Sequence, residues 1–181
     1  MKALETQARK TKINSPVLNR KFFKEHFTKI QIRVDVVNDS KDLVKPSDSP
    51  LWKKFAKKVI QDVGPKKRPL EMCIHFLEED AIAILNEEHL NKPGPTDVLA
   101  FPVGNLESEL EEVPFLLGDV FVCPSFAKIQ AIEKKYSLEN EIALLIVHGI
   151  LHLLGFDHVE ESETIKMKKT EKLLLDRYYF I

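Results

Sequence analysis

Three of the chain's six histidines fall in one eleven-residue stretch, His148-Gly149-Ile150-Leu151-His152-Leu153-Leu154-Gly155-Phe156-Asp157-His158, and it limits the fold more than any other segment does. The residues leading into it, Ile142, Ala143, Leu144, Leu145, Ile146 and Val147, form the longest uninterrupted apolar run. Leu138 to Leu154 therefore reads as a helix that is apolar nearly all round, and such a helix forms the buried centre of its domain. Residues four apart on a helix lie one above the other. His148 and His152 can thus aim at one point, which is half of a zinc site. Gly155 permits a left-handed turn that stops the helix and returns His158 to the same point. Three imidazole nitrogens leave a fourth tetrahedral position open, the arrangement of a catalytic rather than a structural zinc. The expected cofactor is one Zn2+ per chain.

Composition narrows the setting. With 181 residues, 44% of them hydrophobic, the chain is long enough for one ordinary domain with some length to spare. The 27 Lys and Arg against 28 Asp and Glu leave a net charge of −1, so global charge does not announce a nucleic-acid binder. The two cysteines, Cys73 and Cys123, are too few for a disulfide framework, and each lies in an apolar run as a buried, reduced thiol would. The apolar run before His148 is too short to span a bilayer, and the N-terminus lacks the apolar core of a secretory signal. The expectation is a cytoplasmic protein with no membrane association.

Residues 1–29 stand apart. Lys2, Arg9, Lys10, Lys12, Arg20, Lys21, Lys24 and Lys29 face only Glu5 and Glu25. Such an extension fits a nucleic-acid-binding arm, an organellar transit peptide or a flexible tail without a task. Residues 30–181 read as one domain. Alternation marks a strand at Ile30 to Val37, and Leu70 to Leu77, Val98 to Val103 and Gly118 to Val122 read as further strands. An acidic loop, Glu107 to Glu112, lies between the last two. Helical spacing covers Leu51 to Val63, ended by Gly64-Pro65, and Ala81 to Leu90, ended by Asn91-Lys92-Pro93-Gly94-Pro95. Ser125 to Tyr136, Leu138 to Leu154 and Glu160 to about Tyr179 complete the helices. The fold class is α/β (α+β): a small, mostly mixed sheet packed with helices around the central histidine-bearing helix.

The histidine spacing is that of the metzincin metalloproteases, with one break. Those enzymes place Glu directly after the first His as general base. Gly149 stands there instead, so peptide hydrolysis is the wrong first reading.

Three blocks together carry a different resemblance. The histidine motif with Gly149 and Asp157, then Leu85-Asn86 with Pro95-Thr96-Asp97-Val98-Leu99 and Phe101-Pro102, and Leu117-Gly118-Asp119-Val120 resemble the YbeY family of bacterial and organellar endoribonucleases over about residues 30–180. The resemblance implies a zinc-dependent, single-strand-specific endoribonuclease acting in 16S rRNA 3′-end maturation and ribosome quality control. It implies His148, His152 and His158 as metal ligands, and rRNA with the small ribosomal subunit as partners, alongside ribosomal proteins or an assembly GTPase. Two positions depart from the family's pattern. Leu90 stands where the family has an Arg associated with ribonuclease activity, and Ala100 where it has Ser. Losing the Arg removes a two-pronged phosphate contact.

With no carboxylate at position 149, Asp157 beside His158 is the candidate catalytic residue, although orienting a ligand or capping the turn is its plainer role. Asp97 and Asp119 are weaker candidates, better read as a cap and a turn former. Lys92 is the candidate RNA-binding residue that replaces the missing charge. Two other functions remain open: a ribosome-assembly factor with little catalysis, motivated by Leu90, and a zinc hydrolase of another ester or amide, motivated by the open coordination position.

Overall fold

The computed structural model describes residues 31–40, 43–66, 68–104, 114–157 and 160–179. The basic extension, the acidic loop at 107–112 and His158 lie outside the described residues. In chain order the elements are β1 (Ile32–Asn38), α1 (Ser49–Val63), β2 (Leu70–Phe76), α2 (Glu79–Leu90), β3 (Val98–Pro102), β4 (Phe115–Val122), α3 (Pro124–Lys134), α4 (Leu138–Leu153) and α5 (Glu161–Tyr178). A short 3-10 turn, Pro46–Asp48, precedes α1. The strands form one mixed sheet in the order β1-β2-β4-β3, with β3 antiparallel to β4 and the other pairs parallel.

Strict alternation in β2 decides which way the sheet faces. Leu70, Met72, Ile74 and Phe76 are buried, while Glu71, Cys73 and His75 on the other face are only partly covered. The buried set joins Trp52, Val59 and Ile60 of α1, Val120 and Val122 of β4, and Ile146 and Ile150 of α4 in one core. Each such fully buried aliphatic side chain contributes roughly 1.5–3 kcal/mol. Reversing the sheet's faces would forfeit several of these at once. The opposite face carries a smaller cluster, where Ile82 of α2 meets Leu77, Leu99 and Cys123.

The same alternation corrects the reading of Cys73. Cys123 is fully buried, with Sγ 3.2 Å from the Ser125 hydroxyl, but Cys73 points away from the main core and is half-buried. An apolar run in a strand does not bury both faces when the helices cover one side more completely than the other.

β4 begins at Phe115, three residues before the expected start, and its register with β2 shifts between Glu71 and Met72. Gly118 takes up that irregularity at φ +132°, and a β-carbon on it would meet the Phe101 carbonyl oxygen. Only glycine fits there.

α4 is buried at ten of its positions, among them Ile142, Ile146, Gly149 and Ile150. Its N-terminus is capped by the Ser137 hydroxyl, which accepts a hydrogen bond from the Asn140 N–H at 3.1 Å. Its C-terminus closes as expected from the sequence. Gly155 sits at φ +82°, its N–H bonds the His152 carbonyl at 2.9 Å, and the Phe156 N–H bonds the Leu151 carbonyl at 3.0 Å. That pair of bonds is a Schellman motif, and the Phe156 ring then packs against the core.

Candidate metal centre and cavity

The one-turn spacing on α4 brings the two histidine side chains together as their sequence separation requires. Nε2 of His152 lies 3.1 Å from Nε2 of His148, with the rings nearly perpendicular at 79°. The other nitrogen of His148 is held from α5: its Nδ1–H donates to the Glu171 carboxylate at 2.7 Å. Glu171 is the more buried partner, 12% exposed against 29% for the imidazole. A carboxylate on Nδ1 fixes the tautomer and leaves the Nε2 lone pair aimed at His152.

That pair fits a metal. Two lone-pair nitrogens this close need a proton or a cation between them. Ligands on a tetrahedral zinc at about 2.0–2.1 Å would stand roughly 3.3 Å apart, so little movement separates the observed pair from a chelating one. A carboxylate behind a ligating imidazole is also the usual outer support of such sites. His148 and His152 are thus brought together with Glu171, while His158 lies outside the described residues.

The two histidines line a cavity of about 880 Å3 between α4, α5, β3 and the end of α2. Asp157 and Gly155 lie on its wall beyond the helix end. Leu90 and Ala100, the two departures from the family pattern, also line it. Lys92 is exposed just past Asn91, the left-handed residue that ends α2, and is not among the lining residues. Two other lysines are: Lys134 and Lys168.

Lys134 is tethered. Its Nζ lies 2.6 Å from Oε1 of Glu141, a carboxylate with no exposure at all. Lys168 is not tied into an ion pair among the described residues. Asp97 also reaches the cavity, but its oxygens are taken up by the Thr96 hydroxyl at 3.0 Å, the Val98 N–H at 2.9 Å and the Gln130 amide at 2.8 Å. That saturation makes Asp97 a brace at the start of β3. Asp119 lies on the other face of the sheet, bonded to His75 at 2.9 Å, and so stands apart from this cavity.

Gly149 has a packing reason to be glycine. Its Cα faces Val120 so closely that an added β-carbon would stand 2.6 Å from Cγ1. No glutamate fits between α4 and β4 there, so the metzincin arrangement is sterically closed to this chain.

The family model described as Endoribonuclease YbeY matches residues 35–179. The chain belongs to the YbeY family. Among its relatives are proteins named Endoribonuclease YbeY from Nocardia farcinica, 42% identical over 114 residues, and Acidothermus cellulolyticus, 44% identical over 112. The Nocardia match spans 60% of this chain and 62% of that protein, and the Acidothermus match spans 58% and 68%. The chain therefore covers a little under two thirds of the Nocardia protein's length. Its fold resembles the solution structure of TM1509 from Thermotoga maritima, with a TM-score of 0.52 at 23% identity, covering 80% of this chain and 91% of that one. The match to the YbeY family takes in the histidine helix, the Pro-Thr-Asp turn and the Leu-Gly-Asp strand. Among the described residues, no helix is long and apolar enough to cross a membrane.

Sequence reasoning missed Glu171, Lys134 and Lys168. A signal for α5 did exist: Thr164, Met167, Lys168 and Glu171 recur at helical spacing and all four line the cavity. Nothing in the sequence paired Glu171 with His148, because that contact joins two helices across a turn.

Proposed function

We propose that this chain is a metal-dependent endoribonuclease for single-stranded RNA, acting in 16S rRNA 3′-end maturation and ribosome quality control. The observation that carries the reading is the convergent His148–His152 pair, buttressed by Glu171 at the wall of a cavity, in a chain of the YbeY family. His148, His152 and His158 would hold the cation, zinc by the nature of the donors. When bound, such an ion supplies positive charge for the phosphoryl oxygens and acidifies water toward neutrality.

The chain's own residues do the rest. Glu171 holds the His148 tautomer and orientation. Asp157, exposed on the cavity wall, would orient a ligand or accept a proton from an entering nucleophile. Lys168 attracts the phosphate backbone as a point charge, with Lys92 adding charge two residues beyond Leu90. Lys134 contributes less, because Glu141 already balances it. The bases of an unpaired strand would meet the apolar wall of Leu90 and Ala100. Partners on this reading are rRNA and the small ribosomal subunit, in the cytoplasm.

Leu90 supports a second reading. A leucine lines the cavity where the family's arginine would grip a phosphate, which fits an rRNA-binding assembly factor with weak cleavage. Cleavage of matched single-stranded and duplex RNAs, with and without chelator, separates the two. The endoribonuclease reading expects single-strand cleavage that chelation abolishes and that His152→Ala lacks. RNA binding without metal-dependent cleavage would select the assembly factor.

A further inference from the structure

On the face of the sheet opposite α4, three residues of different donor chemistry converge. Cys73 and His75 are alternate residues of β2, so both point to that face, and Asp119 of β4 lies directly across from Cys73 in the parallel register. One ligand atom from each, a sulfur, a ring nitrogen and a carboxylate oxygen, lie within 4.8 Å of one another. All three side chains are partly buried. We propose that Cys73, His75 and Asp119 form a second metal site, for zinc or a cation of similar softness, independent of the histidines on α4.

Four observations support it. The His75 ring is held in place: it stacks on Phe121 at 4.4 Å and 14°, with Nε2 turned to the Asp119 carboxylate at 2.9 Å. Nitrogen and oxygen ligands of a tetrahedral zinc stand roughly 3.3 Å apart, so this edge of the site is already at nearly the right separation. The donor set of sulfur, nitrogen and oxygen suits zinc and excludes calcium and magnesium, which take oxygen ligands. Finally, a carboxylate flanks the thiol on each side. Asp35 of β1 stands across from Cys73 on its other side, completing a row Asp35–Cys73–Asp119 over three strands. Arg33 and Lys53 balance Asp35, which leaves Asp119 as the carboxylate turned to His75.

The same surroundings set the state of the thiol. Burial first, then Asp119 and Asp35, push the Cys73 pKa above its ordinary value, so the thiol keeps its proton at neutral pH. A divalent cation reverses that preference. One Cys73–zinc bond forms, the S–H bond breaks, and one proton passes to solvent. Three protein ligands leave room for a fourth, and the bound ion would clamp β2 to β4 midway along their shared edge.

The test uses the full chain, freed of metal and titrated with Co2+ alone at mildly alkaline pH. A thiolate on cobalt gives an intense near-ultraviolet charge-transfer band that imidazole and carboxylate ligands do not give. The band should appear in the parent, persist in His148→Ala/His152→Ala, and vanish in Cys73→Ser. The α4 variant thereby separates this site from the one on the cavity wall. Zinc should also slow alkylation of Cys73 at least about tenfold, a readout that needs no variant, while buried Cys123 stays unreactive. A parent without the band, a band that survives Cys73→Ser, or alkylation that zinc does not slow would each overturn the site.

Discussion

Gly149 of α4 and Val120 of β4 touch so closely that a β-carbon at position 149 would lie 2.6 Å from Val120 Cγ1 and 2.9 Å from its Cγ2. Helix and sheet are in direct contact at the residue that follows the first histidine. The residue that supplies a base in other zinc enzymes is here a packing element, which separates this site from the proteases that share its spacing.

Gly149→Ala should therefore destabilise the protein. Alanine favours an isolated helix by roughly 1 kcal/mol over glycine, so a helix-propensity argument alone gives the opposite sign. Val120 cannot yield easily, since it is fully buried and β-branched, with a stiff χ1. Overpacking of this kind costs about 1–3 kcal/mol. Denaturant unfolding of the variant checks it, and increased stability would show that α4 can move off the sheet without cost.

Glu171 offers a sharper test of the metal centre. Removing the carboxylate behind a ligating imidazole lowers metal affinity about 10–100-fold. Glu171→Ala should show that loss in competition with a chromophoric chelator. Glu171→Gln keeps an acceptor for the His148 Nδ1–H and should lose less. Equal affinity in all three proteins would mean that Glu171 does not orient the ligand.

What the sequence made legible and what it hid divide along physical lines. Gly155 and the end of α4 were readable because a helix stop is a local event, encoded within five residues. The strand at β2 was readable for the same reason, although not which of its faces is buried. The partner of His148 was not, since Glu171 lies 23 positions away on a different helix. Nor was the reason for Gly149, which lives in the gap between two elements. Cys73, His75 and Asp119 look unrelated in the chain and become neighbours only through the β2–β4 register. Leu90 was legible as a missing charge, but its place on the cavity wall was not.

The charge on that wall makes a prediction about RNA. Lys168→Ala should weaken RNA binding nearly uniformly across sequences and reduce the salt slope by about one counterion. Leu90→Arg should raise cleavage by restoring a two-pronged phosphate contact. Lys134→Ala should act differently, lowering stability by roughly 1–3 kcal/mol because it strands the buried Glu141 carboxylate, an effect reduced by the half-exposure of the lysine. Binding measured across a salt series, beside thermal unfolding, distinguishes these outcomes. A Leu90→Arg protein that cleaves no faster than its parent would show that position 90 does not meet the scissile strand.

Tyr179 makes the stability of the C-terminal helix sensitive to alkaline pH. Its ring stacks on Trp52, centroids 6.1 Å apart and planes within 6°, and meets Phe55 edge-on at 5.4 Å. Burial, with a smaller contribution from Glu139, raises its pKa from 10.0 to about 12. The folded state thus holds the phenol proton more tightly than the unfolded chain does. Its contribution to stability is complete below the unfolded value of about 10 and is lost as pH rises through about 12. Tyr179→Phe keeps the stacked ring and removes the proton, so its unfolding midpoint should decline less than the parent's across that window. Tyrosinate absorbance gives an independent reading: one of the three tyrosines should ionise near pH 12, and that step should disappear in the variant. Parallel pH profiles for the two proteins would show that the phenol is open to solvent and that α5 is anchored by other contacts.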